Sequence, residues 1–148
     1  MTQLSEHFSF EELTHTDHRN LENIPNELET QNLYRLAAFL EQVKTLFGGA
    51  PIMVNSAFRS QALNRAVGSK DTSQHRLGCA ADIRVEGVTP GAVVTAIHES
   101  DLAYDQLIKE FVTPEGGGWT HVSIPSSAKG TPRLQALVID KQGTRLLA

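Results

Sequence analysis

Two imidazoles and one carboxylate stand out in this 148-residue chain for the chemistry they could share. His75 and Asp82 sit in Thr72-Ser73-Gln74-His75-Arg76-Leu77-Gly78-Cys79-Ala80-Ala81-Asp82-Ile83, and His121 follows in Gly118-Trp119-Thr120-His121-Val122-Ser123. Two histidines and an acid make a three-ligand shell for Zn2+, with a fourth position left for water. The spacing His-x6-Asp is a weak signal alone, because a lone histidine is more often a hydrogen-bonded structural residue. The reading therefore depends on elements that bring the three side chains together and hold them.

The pattern around them supplies such elements. Ala80 to Val85 alternates as a strand, with Asp82 near its start and His75 on the turn before it. Trp119 to Ile124 reads as a second strand carrying His121, and Tyr104 to Glu110 as its hairpin partner across a loose, glycine-rich tip. Gly78 lets the chain bend between His75 and Asp82. Leu134 to Ile139 is a further strand, and Lys141-Gln142-Gly143 turns into a short tail strand.

Helices fill the rest. Ser9-Phe10-Glu11-Glu12 is a capping box that opens a short helix. Leu21 to Glu29 reads as a surface connection, and Thr30 as the cap of a long helix. Leu33, Leu36, Ala37, Leu40, Val43 and Phe47 form its apolar stripe, and Gly48-Gly49 ends it. Ile52-Met53-Val54 is a short buried strand, Ser60 caps a brief helix to Val67, and Thr89-Pro90 starts another. The fold class is α+β, with helices packed on a mainly antiparallel central sheet in a single domain, residues 1–148.

Composition narrows the functions. A net charge of −4 gives no basic footprint for nucleic acid. One cysteine, Cys79, excludes an intrachain disulfide and reads as a buried apolar residue. No segment reads as a secretory signal or as a bilayer span, so no membrane insertion is expected. His7, His15, His18 and His98 read as structural or surface residues.

The run Ser73-x-His75-x-x-Gly78-x-Ala80-x-Asp82, followed by Trp119-x-His121, resembles the zinc D-alanyl-D-alanine carboxypeptidase family, which is related to lysostaphin-type peptidases and hedgehog domains. Ser56-Ala57-Phe58-Arg59-Ser60 looks like that family's Ser-Gly-Tyr-Arg-Ser segment. The resemblance runs from His7 to about Ile124 and is closest to small single-domain members often found in phage genomes. It implies His75, Asp82 and His121 as zinc ligands. It implies Arg59 as the residue that meets the substrate's carboxylate or polarised carbonyl. Ser73 matches a serine that bonds substrate or the site loop, and Gln106 sits in a segment, Tyr104 to Glu110, that also looks like the family's, placing it at the substrate or behind a ligand.

The general base departs from the pattern. Many relatives carry an acid three positions before the last histidine, or a histidine two before it; here those positions are Gly118 and Trp119. Glu110, at the end of the neighbouring strand, is the first candidate, and Glu115, on the hairpin tip, the second. The activity implied is hydrolysis of a peptidoglycan stem peptide, at the terminal D-Ala-D-Ala bond or an internal L-Ala-D-Glu bond, by a monomer. The setting implied is a phage endolysin made in the host cytoplasm and acting on the wall after release, or a virion-borne enzyme. The rival class is a zinc-stabilised binding or virion structural module without catalysis.

Overall fold

Capping decides where the helices begin. In the computed structural model, which describes residues 2–147, Ser9 opens α1 (Phe10–Thr14). Its hydroxyl accepts from Glu12 N at 3.1 Å, while Glu12 Oε1 accepts from Ser9 N at 3.2 Å. The long helix α2 (Glu27–Leu46) begins earlier than the Thr30 cap expected from sequence. Asn26 Oδ1 accepts from Glu29 N at 2.8 Å, and Glu29 Oε1 accepts from Asn26 N at 2.9 Å. That complete box satisfies two orphan amides and wins over Thr30, whose hydroxyl donates to Asn26 O instead. Ser60 caps α3 (Gln61–Ala66), and Thr89 caps α4 (Pro90–His98) with Pro90 in its first turn.

Six strands form one sheet in the order β1-β2-β4-β3-β5-β6. They are β1 (Ile52–Ser56), β2 (Ala80–Val85), β3 (Gln106–Glu110), β4 (Trp119–Ser123), β5 (Gln135–Asp140) and β6 (Gly143–Leu146). The sheet is mixed: β5 lies parallel to β3, and the other neighbours are antiparallel. The α+β class stands, and the antiparallel expectation needs this one correction. Its cause is the segment after β4, which runs back to the start of β3. There Leu134 N donates to Tyr104 O and Gln135 N to Asp105 O, setting β3 and β5 off in the same direction.

Strand alternation separates two faces. Ala81, Ile83, Val85, Leu107 and Val122 are buried in one cluster with Leu33, Leu36, Leu40 and Val43 of α2 and Val93, Val94 and Ile97 of α4. Asp82, His121, Ile108, Glu110 and Trp119 fall on the other face, because Asp82 pairs with His121, His121 with Ile108, and Trp119 with Glu110. The core thus holds one side of the sheet still while the other displays polar groups. Among the described residues no helix is long and apolar enough to cross a membrane.

Candidate metal centre and active site

The three residues singled out for metal chemistry meet. Asp82 Oδ1 lies 3.3 Å from His75 Nε2 and 3.2 Å from His121 Nδ1. The three donors lie within 4.8 Å of one another. Donors at tetrahedral zinc distances lie about 3.3 Å apart, so this set has the right span for one ion.

Each of the three donors is placed by its own element. Asp82 and His121 are direct cross-strand partners on β2 and β4, which sets their side chains side by side. His75 sits in a 3-10 turn, Gln74–Leu77, capped by Ser73, whose Oγ accepts from His75 N at 3.2 Å. Gly78 ends that turn at φ +78, and a Cβ there would stand 2.8 Å from Glu29 O. Both the conformation and the close approach require glycine. His75 Nδ1 donates to Ala57 O at 2.7 Å, which leaves Nε2 with its lone pair toward Asp82 and His121. Arg59 N donates to His75 O at 3.0 Å, so the Arg59 segment and the His75 turn are stitched together.

Arg59 is held from behind by Asn23. Asn23 Nδ2 donates to Thr14 O and Phe58 O, and Asn23 Oδ1 accepts from Ser60 N at 2.7 Å. The stretch read as a plain surface connection is therefore part of the site's support. Burial lowers the Arg59 pKa, and the charges of Asp82 and Glu110 oppose that. An arginine in this position remains protonated at neutral pH.

Glu110 shares the site face. Burial and the Asp82 charge raise its carboxyl above the usual range, against the lowering influence of His121, Trp119 and Arg59. Asp82 moves the other way: burial alone would raise it, but the charges and hydrogen bonds of His75 and His121 hold it well below the usual range. The two acids on this face therefore shift in opposite directions.

Gly118 explains why no acid stands three positions before His121. At φ +86, its Cβ would fall 2.4 Å from Glu110 O and 2.5 Å from Phe111 O. The hairpin closes too tightly there for any side chain. Glu115 is exposed on the hairpin tip. That tip is tied rather than loose: Gly117 N donates to Thr113 Oγ1 at 2.9 Å, and Arg84 donates to the Gly116 carbonyl. Gln106 is directed away from the ligands, its Nε2 donating to Gln135 Oε1 at 2.6 Å.

Five buried side-chain nitrogen or oxygen atoms lack a hydrogen-bond partner among the described residues, and three of them ring this site. They are Arg59 Nε, Trp119 Nε1 and His121 Nε2. All three nitrogens are donors when His121 presents Nδ1 to an ion; Trp119 Nε1 interacts with the Glu110 carboxyl, so Arg59 Nε and His121 Nε2 are the N–H groups left for an acceptor-rich ligand. His15 and His18, read from sequence as lying outside any site, line a small cavity of about 160 Å³ with Asn55, Ser56 and Arg59. Sequence gave no signal for this, since the loop after α1 reaches Arg59 only through the tertiary fold.

The sequence profile described as Peptidase M15 matches residues 6–123. The chain belongs to this peptidase family. No curated protein matches it. Peptidase M15 enzymes are generally zinc-dependent, and the His75, Asp82 and His121 donor set fits that metal by type and span. The matched region contains α1 to β4, all three ligand residues, Arg59 and Glu110. The β5–β6 hairpin lies beyond it.

Proposed function

We propose that residues 1–148 act as one zinc peptidase domain that hydrolyses the stem peptides of peptidoglycan. The observation that carries this reading is the convergence of His75 Nε2, Asp82 Oδ1 and His121 Nδ1 on one point, on the sheet face that also bears Glu110. When bound, the ion supplies Lewis-acid polarisation of the scissile carbonyl and makes hydroxide accessible near neutral pH. His75, Asp82 and His121 would hold it.

The chain's own groups do the remaining work. Glu110 takes the proton of the attacking water and passes it to the leaving amine, a transfer suited to a carboxyl whose pKa is raised. Arg59 pairs with the substrate's carboxylate or with the charge that develops on the scissile oxygen. His121 Nε2 donates to a substrate acceptor, which removes a buried, unpaired polar group, while Trp119 Nε1 is directed at the Glu110 carboxylate. Ser73 keeps the His75 turn in place. The side chain that the family places three residues before the last histidine is thus replaced from the adjoining strand, which favours catalysis over a binding module that has lost its base. The setting that the resemblance supports is wall degradation during phage lysis or entry.

The test uses purified protein, zinc, intact peptidoglycan and synthetic stem peptides, with products read by mass spectrometry. Zinc-dependent peptide cleavage that stops with chelator and returns with zinc is expected. Metal-loaded protein that cuts neither substrate overturns the reading.

A further inference from the structure

Phe111 follows Glu110 directly and has φ +52, a strained backbone for a bulky residue. Regular alternation would send its side chain to the sheet face opposite Glu110. The left-handed turn breaks that alternation. The Phe111 ring instead lies against Trp119, with centroids 5.7 Å apart and planes tilted by 37°. It remains 43 % exposed, so one aromatic surface is available beside the site.

That ring lines a cleft of about 420 Å³ together with Val112 and Thr113, and the β5–β6 turn contributes Asp140, Lys141 and Gln142. The turn is braced: Asp140 accepts from Arg145 at 2.9 and 2.7 Å and from Gln142 N at 2.9 Å. The Lys141 and Gln142 side chains make no hydrogen bond among the described residues. A hairpin outside the family's matched region therefore completes a cleft at the end of β3, its Phe111 wall packed on Trp119.

We propose that this cleft is a sugar subsite; the proposal rests on the peptidoglycan reading above. One N-acetylated sugar ring fits its chemistry. The ring's C–H face covers Phe111, while hydroxyl and acetamide groups bond the Gln142 amide and the Lys141 ammonium. The volume falls in the range of pockets that hold small molecules, roughly 300–1,000 Å³. In the substrate the sugar carries the stem peptide, so glycan and scissile bond belong to one molecule.

Trp119 is the single tryptophan and reports on this cleft. Its fluorescence is titrated with the peptide-free disaccharide of the glycan strand; a saturable change is expected, and an unchanged spectrum overturns the subsite. KM is then compared for the disaccharide-pentapeptide and for the same pentapeptide without sugar. The sugar-bearing substrate is expected to show a KM about tenfold lower, the scale of one good aromatic contact. Phe111→Gly suits the left-handed backbone and so preserves the turn; it should bring the KM ratio to about one. A ratio of one in the native protein, or a full ratio in Phe111→Gly, overturns the proposal. If neither substrate is cut, the peptidase reading fails, while the fluorescence titration still decides the subsite.

Discussion

Two acids in neighbouring parts of the sheet, buried Asp105 and partly exposed Asp82, have opposite surroundings. Asp105, just before β3, is saturated: Arg133 donates through its backbone N, Nε and Nη2, and Gln74 Nε2 adds a bond at 3.0 Å. Asp82, on β2, has two imidazoles as its ion-pair neighbours and, among the described residues, no arginine or lysine paired with its carboxylate. The first arrangement is a fastener with a permanent cation built in. The second is a seat whose histidines gain most when a cation arrives. Gln74 and His75 are adjacent in sequence, so one short turn serves both acids, reaching Asp105 with one side chain and Asp82 with the next.

The two should fail in different ways when broken. Asp82→Ala is expected to abolish zinc binding and hydrolysis together, with metal analysis falling from about one ion per chain to none. Glu110→Gln, beside the same seat, should retain the metal yet lose about 10²–10⁴-fold in kcat, measured on a stem peptide. Retained turnover there would transfer the base role to another group, Glu115 being the first to examine.

At the fastener the loss should be of stability. Arg133→Ala is expected to cost about 1–3 kcal/mol in denaturant unfolding, between the values for exposed and buried pairs because Arg133 is half exposed, while zinc content stays near native. The pH dependence has a definite sign. Burial would raise the Asp105 carboxyl, but hydrogen bonds from Arg133 and Gln74 hold it below its usual value. Its contribution is therefore present above the unfolded value of about 3.9 and disappears as pH falls through the lower folded value. Denaturant midpoints recorded toward acid pH should drop, and Arg133→Ala should flatten that drop. The smallest effect is at the start of α2: Asn26→Ala should cost about 1 kcal/mol by removing its cap.

The contrast also marks what could be read along the chain. Ala80–Val85 and Pro90–His98 were legible because period-two alternation and a Thr-Pro start are local signals. The meeting of His75, Asp82 and His121 was legible because their types are rare together and the strands of Asp82 and His121 were clear. The beginning of α2 was mistaken because two capping residues, Asn26 and Thr30, compete within one stretch. The fastener was invisible, since it joins positions 74, 105 and 133 through side chains. Asn23 and the Ala57 carbonyl were equally hidden, because each acts across a long sequence separation. Glycine richness suggested a loose hairpin, whereas Thr113 and Arg84 fasten it.

The parallel seating of β5 beside β3 reaches into biosynthesis. β3 bears Glu110 and is flanked by β4 on one side and β5 on the other. On the ribosome β4 emerges first, so for an interval the strand bearing Glu110 shows a bare row of amides and carbonyls. Nascent chains in that interval are open to strand addition by their neighbours, and residues 135–140 are what seal them.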